Sequence, residues 1–148
     1  MKHYIGTKQI QAEPMTQGDY HLHRDWSLPA EKDADAPGYL VKYPDGYISW
    51  SPAAQFEAAY QGLDAMSFGH AVEMMKAGRK VARSGWNGKG MWVAITKGNP
   101  ELEVNCFWNP HAKQHADTLT MKTADGSFLM GWKASQADIL VNDWMVID

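Results

Sequence analysis

Cysteine is almost absent from this sequence, because its 148 residues include a single one, Cys106. One cysteine cannot form an internal disulfide, so we expect a protein of a reducing cytoplasm. No apolar run approaches the ~20 residues that span a bilayer, and the first residues lack the apolar core of a secretory signal. The formal net charge is only −3, which argues against binding of nucleic-acid polymers.

Residue clusters typical of metal sites and of catalysis are also scarce. Two histidine pairs could each supply two metal ligands: His21 with His23, and His111 with His115. Zinc sites usually show tighter clustering, and no cysteine-hydrolase signature surrounds Cys106. The glycines of residues 85–90 have the wrong spacing for a phosphate-binding loop, and paired carboxylates suited to acid–base chemistry are not evident. We therefore expect no metal, no cofactor and no catalytic residue.

Tryptophan, by contrast, is abundant. Its seven positions are Trp26, Trp50, Trp86, Trp92, Trp108, Trp132 and Trp144. This is more than a small core usually needs, and indoles suit stacking on bases or filling interfaces. Trp86 and Trp132 each follow a glycine directly, near a predicted turn, with polar residues after them. This pattern favours a site where a base stacks on an indole; the alternative is that both indoles fill the core of a small sheet.

Charge is unevenly distributed along the chain. Residues 1–62 carry five basic and eight acidic side chains, whereas residues 63–148 carry nine of each. Within the second part, residues 74–100 hold six basic side chains and no acidic one. A locally positive segment in an acidic protein favours an anionic ligand, although a solvated surface would have the same composition.

The pattern of turns and apolar residues predicts an α+β fold, in which antiparallel hairpins pack with a few short helices. We place a boundary near Gln61, which gives a small α+β module at 1–62 and a second domain at 63–148. In the module we expect a strand at 4–10, a helical turn capped by Thr16, and a hairpin over 39–50 that turns at Asp45-Gly46. The module would end in a helix to about residue 61, with Ser51 as N-cap and Pro52 as its first residue.

The second domain is predicted to begin with a helix over 68–75, capped by Ser67 and ended by Gly78. Strands should follow at 81–83, 91–95, 119–121, 128–130 and 143–147. The turns would lie at Asn87-Gly88 and Asp125-Gly126, and Ser135 would cap a short helix. Residues 96–117 form an insertion in this reading, and Trp92 is expected in the core.

Five stretches of this second domain resemble a known family, the second Thoeris anti-defence family of phage and prophage proteins. They are residues 67–71, 78–91, 121–126, 131–138 and 142–144. The resemblance covers about residues 66–148, apart from the insertion. Residues 1–62 resemble a separate phage and prophage module without a known function.

The family resemblance implies a molecular sponge rather than an enzyme. Such proteins bind a cyclic ADP-ribose isomer made by bacterial TIR-domain enzymes and sequester it uncleaved in the cytoplasm of the infected host. The resemblance also implies a homotetramer with ligand pockets between protomers. The acid-free basic segment leaves room for other cyclic messengers, such as cyclic dinucleotides.

Carried over by motif, the resemblance implies a set of ligand-binding residues. They are Arg83, Trp86, Asn87, Gly88, Lys89, Met91, Met121, Trp132, Ser135, Gln136 and Asp138. We expect Trp86 and Trp132 to sandwich or flank the adenine, with Asn87 meeting polar groups of the ligand. Residues 135–138 would bond ribose hydroxyls or the base edge, and Lys89 or Arg83 would offset the pyrophosphate charge.

Two other functions stay open at this point. An enzyme that degrades such nucleotides would need a general base, for which Asp138 is the one candidate. A phage structural or protein-interaction module would instead use the tryptophans as interface anchors.

Overall fold

The computed structural model describes residues 1–86, 90–98 and 116–147, together with the backbone of two strands at 104–106 and 109–112. The chain divides into two compact units, Met1–Gln61 and Gly62–Asp148. Both units combine antiparallel strands with short helices, which confirms the predicted α+β class. Within the described ranges, no helix is both long and apolar enough to cross a membrane.

Unit 1 is an antiparallel three-stranded sheet with two short helices. Its strands, in sheet order, are β1 (Gln11–Pro14), β2 (Gly38–Lys42) and β3 (Ile48–Pro52). Its helices are α1 (Gln17–His23) and α2 (Ala53–Ala59). The predicted hairpin around Asp45-Gly46 is confirmed by the pairing of β2 with β3. Thr16 caps α1 as predicted, because its side chain accepts a hydrogen bond from Asp19 N at 3.1 Å.

Two predictions for unit 1 are wrong. The first strand lies at Gln11–Pro14 rather than at 4–10, because its register is set by pairing with β2, where Gln11 faces Lys42. Ser51 and Pro52 belong to the end of β3, where Pro52 faces Gly38, so α2 begins one residue later and has no side-chain cap. The pairing of β3 with β2 therefore outweighed the local preference of Ser51 and Pro52 for the start of a helix.

Unit 2 holds a larger antiparallel sheet, whose strand order is β10-β4-β5-β8-β9. These strands are β4 (Lys80–Arg83), β5 (Trp92–Thr96), β8 (Thr118–Lys122), β9 (Phe128–Met130) and β10 (Trp144–Ile147). A separate hairpin is formed by β6 (Val104–Cys106) and β7 (Asn109–Ala112). The helices are α3 (Phe68–Lys76) and α4 (Gln136–Leu140).

Helix α3 covers one face of this sheet and forms the core with it. The buried core residues of unit 2 are Met66, Ala71, Met74, Met75, Val81, Val93, Met121 and Trp144. Ser67 caps α3 through a hydrogen bond from His70 N at 3.4 Å, and Gly78 follows the helix with φ of 84°, so both predicted ends are confirmed. The predicted turn at Asn87-Gly88 lies outside the described residues, as does His115 of the insertion.

Candidate ligand-binding site

Three tryptophans from separate elements of unit 2 meet beside its core. Trp86 follows β4, Trp132 follows β9, and Trp144 is the first residue of β10. The ring centroids of Trp86 and Trp132 are 6.0 Å apart, and each ring also contacts Trp144, at 5.3 and 6.3 Å. Trp144 is completely buried, whereas Trp86 and Trp132 are half-buried. The two half-buried indoles therefore retain surface that a ligand could reach.

The rings of Trp86 and Trp132 cannot sandwich a base between them within one chain. The planes of the two rings make an angle of 78°, and the rings contact each other edge to face. A planar base would instead need two parallel ring faces, one on each side of it. The structure thus brings the two predicted tryptophans together, but in an edge-to-face pair. Within one chain, only flanking of a base by these rings is compatible with this arrangement, whereas a sandwich would need one of the two indoles from another subunit.

The glycine before each of these tryptophans has a structural reason. Gly131 has φ of 77°, and its N–H and that of Trp132 both donate to Leu119 O, at 2.9 and 3.0 Å. A Cβ atom at Gly85 would lie 3.0 Å from Asp143 Oδ2. The glycines therefore let the chain turn or approach a carboxylate closely, and so fix where each indole lies.

Arg83 joins three elements of unit 2 beside the tryptophans. Its Nε and Nη2 atoms donate to the two carboxylate oxygens of Asp143 at 2.9 and 3.1 Å. Its Nη1 atom donates to Asp138 Oδ1 at 2.8 Å. Strand β4, helix α4 and the residue before β10 are thereby held together by one guanidinium, in the bidentate geometry that arginine favours.

The network of Arg83, Asp138 and Asp143 carries one net negative charge, because two carboxylates share one cation. Hydrogen bonds from Arg83 hold the pKa of Asp143 below its ordinary value. For Asp138, burial favours the protonated form, but hydrogen bonds from Arg83 and Ser135 outweigh it and lower the pKa. The two carboxylates in turn raise the pKa of Arg83. Arg83 is therefore a poor candidate for offsetting pyrophosphate charge, although the sequence suggested it.

Ser135 and Asp138 form a capping box at the start of α4, which confirms the prediction that Ser135 caps this helix. Asp138 N donates to Ser135 Oγ at 3.1 Å, and Ser135 N donates to Asp138 Oδ2 at 2.8 Å. The Ser135 hydroxyl also donates to Asp138 Oδ2, at 2.7 Å. Ser135 and Asp138, which the sequence predicted to bind the ligand, thus form hydrogen bonds with each other. Gln136, which lies between them, is exposed.

We expect Ser135→Ala to lower the free energy of unfolding of unit 2 by about 1 kcal/mol, since it removes the cap of α4. Hydrogen exchange of the α4 and β10 amides would measure this loss. Ser84→Ala, at an exposed serine in the turn after β4, is the matched control and should change stability by less than about 0.5 kcal/mol. Equal effects of the two substitutions would contradict a stabilising cap.

The remaining predicted site residues are placed differently. Met121 is buried in the core, where it faces Val93 across the sheet. Met91 is half-buried and packs against the same core. Asn87, Gly88 and Lys89 lie outside the described residues. Met121 is therefore a core residue, with only 6% of its surface exposed.

Sequence reasoning missed one cation beside Gly90. Lys122 Nζ donates to Gly90 O at 3.2 Å. The sequence held a weak signal for it, because Lys122 directly follows Met121 in a motif of the family resemblance. Lys122 pairs with Trp92 across β5 and β8.

Trp92 is not a core residue, contrary to the expectation from sequence. Its neighbour Val93 points to the α3 side, so Trp92 lies on the other face of the sheet. There its ring contacts Phe128 edge to face at 5.8 Å, with Lys80 Nζ 5.7 Å from the ring centroid. Trp144, which the sequence did not single out, is the core tryptophan of unit 2.

Fold and site together define a small α+β domain with half-buried indoles beside a carboxylate–guanidinium network. The family model that matches it is described as the Tad2-like, Thoeris anti-defense 2-like domain and covers residues 66–147. The chain belongs to this family, which confirms the resemblance seen in the sequence. It is 34% identical over 85 residues to Thoeris anti-defense 2 of Bacillus phage SP01, an alignment that covers 55% of this chain and 94% of that protein. The family match begins at residue 66, so unit 1 lies outside it.

Proposed function

We propose that this protein is a phage anti-defence sponge acting against Thoeris immunity. It binds a cyclic ADP-ribose isomer made by bacterial TIR-domain enzymes and sequesters that signal without cleaving it, in the cytoplasm of the infected host. Membership of the Thoeris anti-defense 2-like family over residues 66–147 supports the proposal. The name of the similar phage protein points in the same direction.

The observation that carries the proposal is the pair of half-buried indoles, Trp86 and Trp132, in the domain that matches the family. An indole with one accessible face suits an adenine, because stacking needs a flat apolar surface and tolerates the polar edges of the base. Lys122, whose Nζ lies beside Gly90, is the cation that we add to the proposed site for phosphate. Asn87 and Lys89 stay in the proposed site as additional polar contacts.

Sequestration fits the chemistry of Asp138 better than catalysis does. Burial alone would favour protonation of this carboxylate, but its hydrogen bonds from Arg83 and Ser135 lower the pKa. A general base with a lowered pKa, already bonded to a guanidinium, accepts a proton poorly at neutral pH. Among the described residues, no group of three His, Cys, Asp or Glu side chains could hold a metal ion.

The assembly and the range of ligands belong to the same proposal. We infer a homo-oligomer, with a tetramer as its expected form and pockets between protomers. A cyclic dinucleotide is a second ligand class in this proposal, because residues 74–100 hold six basic and no acidic side chains. Of these six, Arg83 and Lys97 form ion pairs with carboxylates from other segments. Unit 1 adds a separate module, to which the proposal gives no role in ligand binding.

Trp86→Ala should weaken binding of a cyclic ADP-ribose isomer by about 5- to 150-fold, since base stacking on an aromatic ring contributes roughly 1–3 kcal/mol. Isothermal calorimetry with the purified full chain would measure the dissociation constant. Trp26→Ala, which removes an exposed indole of unit 1, is the matched control and should leave affinity unchanged. Equal affinity of Trp86→Ala and the wild type would remove this indole from the site.

Ligand recovery separates a sponge from an enzyme. The protein would be saturated with ligand, freed of excess and heated, and the released molecule compared with the input by mass spectrometry. A sponge returns the ligand unchanged and stops at a fixed stoichiometry, whereas an enzyme converts excess ligand. If calorimetry detects no binding of any nucleotide, the sponge proposal fails and the protein-interaction alternative takes its place.

A further inference from the structure

Asp143, the residue before β10, is bonded to the turn that carries Trp86 through both its main chain and its side chain. Ser84 N donates to the Asp143 carbonyl oxygen at 3.0 Å. The two carboxylate oxygens accept from Arg83 Nε and Nη2, at 2.9 and 3.1 Å. One residue from a distant part of the sequence thus holds two successive residues of this turn.

The turn is short and ends at Trp86. Trp86 N donates to Arg83 O at 3.2 Å, so residues 83–86 form a β-turn directly after β4. A Cβ atom at Gly85 would lie 3.0 Å from Asp143 Oδ2, which leaves little space between the turn and the carboxylate. The Gly85 N–H also contributes to the lowered pKa of Asp143. The place from which the Trp86 side chain extends therefore depends on Asp143.

Asp138, the other carboxylate of the network, mainly holds a different element. Its Oδ2 accepts from Ser135 N and Oγ at 2.8 and 2.7 Å, while its Oδ1 accepts from Arg83 Nη1 at 2.8 Å. The Trp86 side chain also donates to Asp138, with a smaller effect on its pKa than Arg83 or Ser135. Two of the three short bonds thus fix the start of α4, whereas both oxygens of Asp143 bond to the turn.

Asp143 is poorly suited to contact the proposed ligand itself. Hydrogen bonds from Arg83 keep its pKa low, so the carboxylate is ionised at neutral pH and would repel a pyrophosphate. Both of its oxygens already accept from Arg83, and its side chain is only 27% exposed. An effect of Asp143 on ligand binding must therefore pass through the residues that it holds.

We infer that Asp143 is a positioning residue of the ligand site: it fixes the turn at 83–86 and thereby holds the Trp86 indole where a base can stack on it. The Trp86 ring meets the rings of Trp132 and Trp144 at 78° and 75°. Groups of a binding site must be held within about 0.5 Å and 10–20° of the productive geometry. The part of this inference that concerns affinity rests on the proposed function, whereas the part that concerns the indole does not.

Calorimetry with a cyclic ADP-ribose isomer tests the inference in two backgrounds. Asp143→Ala should weaken binding at least about fivefold in the wild-type chain. In the Trp86→Ala chain it should weaken binding less than about twofold, because the indole that Asp143 positions is then missing. Asp143→Asn keeps one oxygen for Arg83 and should lie between the wild type and Asp143→Ala. Equal losses in the two backgrounds would overturn the inference.

Glu73→Gln is the matched control for the lost carboxylate. It removes one partner of a solvent-accessible ion pair with Lys76, of 2.7 Å, on helix α3 of the same unit. This variant should bind like the wild type, because surface ion pairs of this kind contribute little.

Gly85→Ala moves the turn without changing any charge. Its Cβ atom would press on Asp143 Oδ2, so this variant should also weaken binding in the wild-type chain and have little effect in Trp86→Ala. Gly69→Ala is its control, because a Cβ atom there has no neighbour nearer than Ser67 Oγ at 3.8 Å. Unchanged affinity in both Asp143→Ala and Gly85→Ala would overturn the inference.

Fluorine NMR of the full chain, labelled with fluorotryptophan and free of ligand, tests the geometry separately from binding. Asp143→Ala should shift or broaden the Trp86 signal, which Trp86→Phe assigns, and leave the signal of Trp92 on the other face of the sheet unchanged. An unchanged Trp86 signal would overturn the inference. If the wild type binds no nucleotide, the proposed function fails, and the Trp86 signal alone then decides whether Asp143 positions the indole.

Discussion

Replacing Arg83 by methionine is expected to lower the free energy of unfolding of unit 2 by about 3 kcal/mol. The substitution keeps much of the apolar stem but leaves Asp138 and Asp143 without their shared cation, although their side chains are only 12% and 27% exposed. Removal of one partner from a buried ion pair typically costs 3–5 kcal/mol, and the partial exposure of Asp143 places this case at the lower end. Hydrogen exchange of the β4 and β5 amides would measure the loss for unit 2 separately from unit 1.

Two further substitutions calibrate this prediction. Arg83→Lys retains the charge but cannot reach both carboxylates with a planar fork, so its cost should lie between those of wild type and Arg83→Met. Lys97→Met breaks an exposed ion pair with Asp117, of 2.8 Å, and should cost less than about 1 kcal/mol. If Arg83→Met proved no more costly than Lys97→Met, the network would not contribute to stability as described.

The same network predicts a pH dependence. The pKa of Asp143 is lowered by its hydrogen bonds from Arg83, and the pKa of Asp138 is lowered because hydrogen bonds outweigh the effect of burial. A lowered carboxyl pKa stabilises the folded state fully above the unfolded value of about 3.9, and this contribution disappears as pH falls through the folded pKa. The stability difference between wild type and Arg83→Met should therefore be constant near neutral pH and shrink below about pH 4.

The features that the sequence predicted correctly are those that act over a few residues. Thr16, Ser67 and Ser135 each cap a helix by accepting a hydrogen bond from the residue three positions later. The turn at Asp45-Gly46 places Gly46 at φ of 86°, and the turn at Asp125-Gly126 has Gly126 at 90°. Such signals are complete within one short window of sequence, so no tertiary information is needed to read them.

Features that depend on contacts between distant segments could not be read this way. Arg83 and Asp143 are 60 positions apart, and nothing near either residue indicates the pair. Trp92 and Val93 are both apolar neighbours, so only the register with β8 decides which of them faces α3. The sequence was least informative about the candidate site. Arg83, Ser135 and Asp138 lie in the motifs of the family resemblance, but in the structure Asp138 forms hydrogen bonds with both Arg83 and Ser135.

Trp144→Ala is expected to lower the free energy of unfolding of unit 2 by about 4 kcal/mol, because truncation of a buried tryptophan typically costs 3–5 kcal/mol. Trp144 is completely buried and contacts the rings of Phe68, Trp86 and Trp132. Its Nε1 atom also donates to Asp138 O at 2.8 Å, so the substitution leaves a buried acceptor without its donor. Hydrogen exchange of the Val81 and Val93 amides, which lie in the core strands, would report the loss.

Trp92→Ala is the matched control on the opposite face of the same sheet, where the indole is only half-buried and its main ring contact is Phe128. It should cost no more than about half as much as Trp144→Ala, because partial burial reduces both the transfer and the cavity contributions. Trp144→Phe should fall between the two, since it keeps an aromatic ring but loses the N–H donor. Similar losses for Trp144→Ala and Trp92→Ala would contradict a core built on Trp144. Under the proposed function, Trp144→Phe should also weaken ligand binding, because it puts a smaller ring where Trp86 and Trp132 contact Trp144.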